Sequence, residues 1–493
     1  MKKGLVILLL CALCFTALTG CGDIAIGSAP TPAPEEAAAA EEITGGGVSV
    51  ITLTGGGAEV SGGGVAIDGS VVTIASPGEY SVSGNLSDGC IVVNTGEVKG
   101  DVRLTLDNAS ITSLDGAAIR VEQAKNFDLV LGDGTENRLV SGREGTDPVS
   151  KLEGAVLFSE DDLDILGGGS LEICGYLNNG ITCKDDLDII GGTLTVTAVN
   201  NGIKGSESVE ITGGEISVIA GNDGIKSASA KKEGKGYVLI SDGAITVNAV
   251  GDGISAETTM EITGGEISVT TTGDRDLVSC KALKAKGALT VSGGDLLLAS
   301  EDHAIHSTAE LTVSGGKLSV LSRAGKGMSS HTTLSISGGT IDLKSGDDGI
   351  EALRALAISD GEIRVLAGAD GLKAGNKETA SGTLDISGGV ITVNAYGDAI
   401  DAKTAAAISG GSFVGTGTSK RPQGFAGGTQ CKVLFVFPGA AESVAQVEDE
   451  SGAVIGQVES SCAYTYAIYS SPELVAGSCR LVCGTLAVTA SAN

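Results

Sequence analysis

A repeat with a commonest spacing of 22 residues, as from Asn179 to Asn201 to Asp223, sets how this chain can fold. One unit reads Asn201-Gly202-Ile203, Val209-Glu210-Ile211 and Gly213-Gly214-Glu215-Ile216-Ser217-Val218. The next reads Asp223-Gly224-Ile225, Val238-Leu239-Ile240 and Asp242-Gly243-Ala244-Ile245-Thr246-Val247. Each unit holds three short stretches in which apolar residues alternate with polar ones, and period two puts the apolar set on one face. A single unit cannot bury that face, but stacked units can. Glycine at the D-G and G-G corners permits the positive φ of tight bends. No unit contains a helical period, which excludes leucine-rich and helical repeats. The pattern predicts an all-β chain: a parallel β-helix of about 22 residues and three short strands per turn. The handedness of parallel crossovers makes it right-handed.

The residues that open successive units run Asn179, Asn201, Asp223, Asp252, Asp276, His303, Lys326, Asp348, Asp370 and Asp398. Longer intervals follow Asp223, Asp276 and Asp370. The extra residues are placed mainly at one corner, between the first and second strands. Repeats occupy 151–411, preceded by a β region at 48–150 that leads into the solenoid. The departure from the repeat over 412–493 predicts antiparallel hairpins, with strands near Val433–Phe437 and Ala463–Tyr469, capping an end that would otherwise invite aggregation.

Lys2 and Lys3 precede an apolar run from Gly4 to Leu18 that is short for a membrane span. Leu18-Thr19-Gly20-Cys21 resembles a bacterial lipoprotein box. Residues 1–20 are expected to be a signal peptide and Cys21 a lipidated first residue. Residues 21–47, with Ala29-Pro30-Thr31-Pro32-Ala33-Pro34, are expected to form a flexible linker. Export permits disulfides. Cys183 and Cys280, however, are both assigned to the inward position after the first strand, four turns apart, too far to bond.

A formal charge of −29 argues against nucleic acid and against adsorption to an anionic membrane, so the membrane is reached through the lipid anchor only. It is compatible with divalent cations. Two acidic sets could hold Ca²⁺, which takes oxygen ligands. One is the corner column of Asp223, Asp252, Asp276, Asp348 and Asp370, where aspartate before glycine is also ordinary turn chemistry. The other is denser: Asp161, Asp162 and Asp164 recur one turn on as Asp185, Asp186 and Asp188, with Glu207 and Glu210 following. A solvated acidic face is the alternative there. Lysines on inserted corners (Lys231, Lys232 and Lys235, then Lys281, Lys284 and Lys286) could meet carboxylated sugars, or be solvated loop tips. Tryptophan is absent, which counts against a flat aromatic platform. Catalysis is poorly supported. No GxSxG, HExxH or P-loop pattern occurs, and His303 and His306 are expected at the surface.

Leu106-Asp107-Asn108-Ala109-Ser110-Ile111, Gly134-Thr135-Glu136-Asn137-Arg138-Leu139, Lys184-Asp185-Asp186-Leu187 and the repeated D-G-I with G-G-x-I resemble the bacterial carbohydrate-binding β-helix family. The closing Tyr469-Ser470-Ser471-Pro472-Glu473-Leu474-Val475-Ala476-Gly477 is similar to that family's C-terminal segment. The resemblance covers roughly residues 65–485. It implies a fold shaped like polysaccharide lyases, binding of cellulose or acidic sugars, and bound calcium. The expectation is therefore a monomeric, surface-anchored polysaccharide-binding protein that carries calcium and favours uronic-acid or plant cell-wall glycans, and is not an enzyme. A calcium-dependent polysaccharide lyase and a structural adhesin are the alternatives.

Overall fold

A computed structural model describes residues 47–98, 100–145 and 155–493. The expected signal peptide, Cys21 and nearly all of the linker lie outside the described residues. All regular structure within them is β, mostly in parallel sheets.

Three ladders run along the molecule. Taking the coil that begins at Asn201, a short first strand (Ile203–Gly205) pairs in parallel with Ile225–Ser227 of the next coil. A second strand (Ser208–Ile211) pairs with Tyr237–Ile240. A third (Glu215–Ala220) pairs with Ala244–Ala249. This coil-on-coil register is β-helix-like. Parallel pairing begins as early as Ser49–Gly55 on Gly78–Leu86; Ser49–Gly55 also forms an antiparallel hairpin with Ala58–Ser61, and Val65–Asp68 forms a second with Val71–Ile74.

Alternation builds the core. Ile203, Val209, Ile211, Ile216 and Val218 are buried and belong to one continuous apolar cluster running from Ile51 to Ile468. Lys204, Glu210, Glu215 and Ser217, which alternate with them, face outward. The glycines answer two different needs. Gly214 turns the corner at φ 90°. Gly224 leaves room for the coil beneath, since a Cβ there would lie 2.2 Å from Val247 Cγ1.

One part of the expected register is corrected. Ile254 pairs with Leu283, and Gly253 donates its N–H to the Lys281 carbonyl. Lys281, not Asp276, therefore opens that coil. Asp276 is exposed on an insertion between a third strand and the next first strand, the opposite corner from the one predicted. Cys280 belongs to that insertion, and Ala285 holds the inward position assigned to it. All eight described cysteines are unpaired.

After the last coil, Ser412–Gly417 pairs antiparallel with Tyr464–Ser470, which in turn pairs with Lys432–Gly439. Four further strands (Ser443–Glu448, Val454–Ser460, Gly477–Cys483 and Leu486–Ala492) form a separate antiparallel sheet, and residues of both sheets, Phe435, Tyr469 and Leu481 among them, share a second apolar cluster. Backbone groups that a further coil would satisfy find side chains instead. Ala399 N–H donates to Tyr466 Oη at 2.7 Å. The Gln423 amide accepts from Ala402 N–H at 2.6 Å and donates to its carbonyl at 2.8 Å, as a peptide group of a next coil would.

Candidate functional site

The corner column is a hydrogen-bond ladder. Asn and Asp openers offer a side-chain oxygen to the backbone N–H of the next opener, His303 offers Nδ1 to Lys326 N–H instead, and the Lys281 and Lys326 side chains have no acceptor to offer. Asn179 Oδ1 accepts from Asn201 at 3.0 Å, Asp223 Oδ1 from Asp252 at 2.8 Å, Asp252 Oδ1 from Lys281 at 2.9 Å, and Asp348 Oδ1 from Asp370 at 3.1 Å. The other carboxylate oxygen meets an ammonium group: Asp223 with Lys226 at 2.6 Å, Asp252 with Lys284 at 2.6 Å, Asp348 with Lys326 at 3.0 Å, and Asp370 with Lys373 at 2.8 Å. Burial pushes the Asp348 carboxyl up, but Lys326 and Lys373 outweigh it and hold it below its ordinary value. Both oxygens of these four aspartates are thus engaged by the protein's own donors, and Asp276 lies off the column.

The denser set behaves differently. Asp128, Asp164, Asp188 and Glu210 stack in register on the outward side of the second ladder. Arg103 pairs with Asp128 at 2.8 Å, and Tyr237 donates to Glu210, so both ends of the stack are tied down. Between them, burial, then the charges of Asp128 and Asp162, push Asp164 up to about 6. Burial, then Glu210 and Asp164, push Asp188 up to about 7. Asp128 was not singled out from the sequence. Its Phe127-Asp128-Leu129 alternation is visible, but the 36 residues separating it from Asp164 hide the register.

Beside this stack, Asp162, Asp185 and Asp186 each place a carboxylate oxygen within 4.8 Å of the others. Two oxygens on one Ca²⁺, bound at about 2.4 Å, cannot be further apart than roughly 4.8 Å, so this is a donor set that could hold such an ion. Burial, then the charges of Asp185 and Asp186, raise the Asp162 pKa despite the Asp186 N–H that it accepts. Glu207 adjoins Asp185. It is 8% exposed, and its Oε2 has no hydrogen-bond partner among the described residues. Asp161 stands apart, accepting Ala124 N–H at 2.8 Å.

The lysines expected to meet sugars are mostly engaged with the protein itself. Lys232 reaches Glu207 at 2.5 Å, and Lys235 pairs with Asp186. Lys281 pairs with Asp302 at 2.5 Å, and Lys286 with Glu257 at 2.7 Å. Lys231 is exposed. A groove of about 520 Å³, which the sequence did not reveal, lies at the 375–382 insertion and is lined by Lys373, Asn376, Lys377, Asp401 and Lys403 among others. The three histidines gather, with ring centroids 5.5 Å apart for His303 and His306 and 5.0 Å for His306 and His331. His306 is therefore buried, 8% exposed, rather than at the surface as expected, because its two neighbours cover an outward-facing position.

The chain matches the family model described as carbohydrate-binding domain-containing protein over residues 68–322 and 316–452. A curated relative of that description, from Acetivibrio thermocellus, is 36% identical over 137 residues, covering 27% of this chain and 48% of the relative. The chain thus spans about half the length of that relative. A solved structure titled as the polysaccharide lyase-like protein from C. thermocellum, a gadolinium derivative, is 34% identical. It covers 49% of this chain and 96% of its own, at a TM-score of 0.45.

Proposed function

The chain belongs to the carbohydrate-binding domain-containing family, and on that premise we propose that it is a polysaccharide-binding protein which uses Ca²⁺ and favours acidic, uronic-acid or plant cell-wall chains. Family membership over most of the chain supports polysaccharide as the partner. The observation that carries the finer reading is the convergence of Asp162, Asp185 and Asp186, with the unpartnered Glu207 Oε2 beside them. Hard carboxylate oxygens are the donors Ca²⁺ takes, and a bound divalent ion can bridge to a sugar carboxylate. In this reading the coils form a right-handed parallel β-helix, residues 412–493 cap it, and lipid on Cys21 anchors a monomer at the outer face of the cell envelope.

Binding rather than cleavage is supported by the family description, and at the groove by the state of Lys326 and Lys373. Burial pulls the Lys326 and Lys373 pKa values down, but carboxylate partners outweigh it and raise both. A charged ammonium cannot abstract a proton. One observation favours the lyase reading. Burial and then the charge of Lys226 lower the Lys204 pKa, the direction a proton-abstracting lysine requires. Incubation with polygalacturonate and Ca²⁺, followed by absorbance at 235 nm and by co-sedimentation with the polymer, tests both. Retention on the polymer with no absorbance rise is expected. A sustained rise establishes the lyase, and neither signal on any acidic or cell-wall glycan overturns the proposed function.

A further inference from the structure

The insertion at 228–236 folds back onto the acidic cluster. Its base is pinned, since Ser227 Oγ donates to the Gly236 carbonyl at 2.6 Å and Gly236 N–H donates to the Glu207 carbonyl. Its tip is exposed from Ala230 to Gly234. From this loop Lys232 Nζ reaches Glu207 Oε1 at 2.5 Å and Asp185 Oδ1 at 3.5 Å, while Lys235 pairs with Asp186. Two ammonium groups thus face the four carboxyl groups of Asp162, Asp185, Asp186 and Glu207. They do not satisfy them: Glu207 is 8% exposed, yet its Oε2 is unpartnered. The Lys232 side chain is 62% exposed and gives up little on leaving, because solvent-exposed ion pairs contribute little to stability.

We propose that this insertion is a tethered, exchangeable counter-ion. Ca²⁺ entering among Asp162, Asp185, Asp186 and Glu207 displaces the ammonium groups of Lys232 and Lys235. The freed loop then presents Lys231, Lys232 and Lys235 to a carboxylated sugar chain beside the bound ion. The proposal rests on the calcium reading above and adds its regulation: the lysines either occupy the cation site or face the glycan, and the cation decides which.

The test is calorimetric titration of CaCl₂ into the purified chain, alongside K232A/K235A and D186N variants, with endoproteinase Lys-C digestion of the wild type in Ca²⁺ and in EDTA. Removing the tethered competitor is expected to tighten Ca²⁺ binding about tenfold, as for a site that is closed roughly nine-tenths of the time. D186N should bind far more weakly, and Ca²⁺ should accelerate cleavage after Lys231 and Lys232. Wild-type Ca²⁺ binding with unchanged or weaker affinity in K232A/K235A, and digestion indifferent to Ca²⁺, overturns the exchange while leaving the calcium reading intact. No Ca²⁺ binding by the wild type overturns both. The digestion uses unmodified protein, so it stands even if a variant folds poorly.

Discussion

Asp164 lies directly over Asp188 in the parallel register of the second ladder, on the outward side of a strand whose inward residues are fully buried. Burial comes first in raising both carboxyls, to about 6 and about 7, with neighbouring carboxylates adding to it. A folded pKa above the unfolded value means that the native state binds more protons, so this contribution is complete below about pH 4 and is lost as pH rises through 6 and 7. Asp188→Asn should therefore raise the urea midpoint at pH 8, leave it little changed at pH 4, and flatten the slope between. A variant less stable than the wild type at pH 8 would contradict the stacking account.

His306 has the opposite sign. Burial, then the charges of His303 and Lys281, lower its pKa to about 3. The unfolded state binds the extra proton, so stability is complete above about pH 6.5 and falls as pH drops from there toward 3. His306→Gln should abolish that part of the acid sensitivity, which melts between pH 4 and 7 will read. An unaltered acid slope would show that His306 is not neutral in the fold.

Gln423 stands in for a missing coil at Ala402. Gln423→Ala leaves a backbone N–H and C=O without their partner, and unsatisfied buried groups cost about 1–3 kcal/mol each when water cannot reach them. Because Ala402 is only 3% exposed, the expected loss in urea-unfolding stability is of that order. A loss below a few tenths of that range would mean solvent replaces the amide.

Gly224 is expected to be intolerant of a methyl group. Alanine there would place its Cβ 2.2 Å from Val247 Cγ1 and 2.6 Å from the Gly253 carbonyl oxygen. Overpacking of this kind costs about 1–3 kcal/mol. Gly224→Ala should lower the melting temperature, whereas Gly234→Ala on the exposed loop meets no atom within 4 Å. That second site has φ 77°, so any loss there reports backbone strain rather than crowding.

Much of the fold was legible because it rests on two local signals, alternation with period two and glycine at corners. Ile203, Val209 and Ile216 fall inward as that pattern requires. The Asp164-over-Asp188 register followed from the recurrence of Asp161-Asp162-Leu163-Asp164 as Asp185-Asp186-Leu187-Asp188 one turn on. Register failed at Asp276, where Asp276-Leu277-Val278 imitates an opening D-G-I with Cys280 two residues on. Val278 is 39% exposed, and the true pairing uses Leu283. The site was harder to read than the fold. Sequence shows that lysines sit on an insertion, but not that the insertion folds back to place Lys232 on Glu207. Nor does it show that the corner aspartates spend one oxygen on the next coil's N–H and the other on a lysine. Those contacts depend on how loops cross several coils, which no periodicity encodes.

The proposed Ca²⁺-dependent recognition of an acidic polysaccharide can be read by calorimetric titration of an oligogalacturonate into the purified chain, in Ca²⁺ and in EDTA, with D186N as the control. Saturable binding is expected in Ca²⁺, weakening at least about tenfold in EDTA, a difference of roughly 1.4 kcal/mol, and in D186N. Equal affinity in Ca²⁺ and EDTA, or no binding in either, would contradict it.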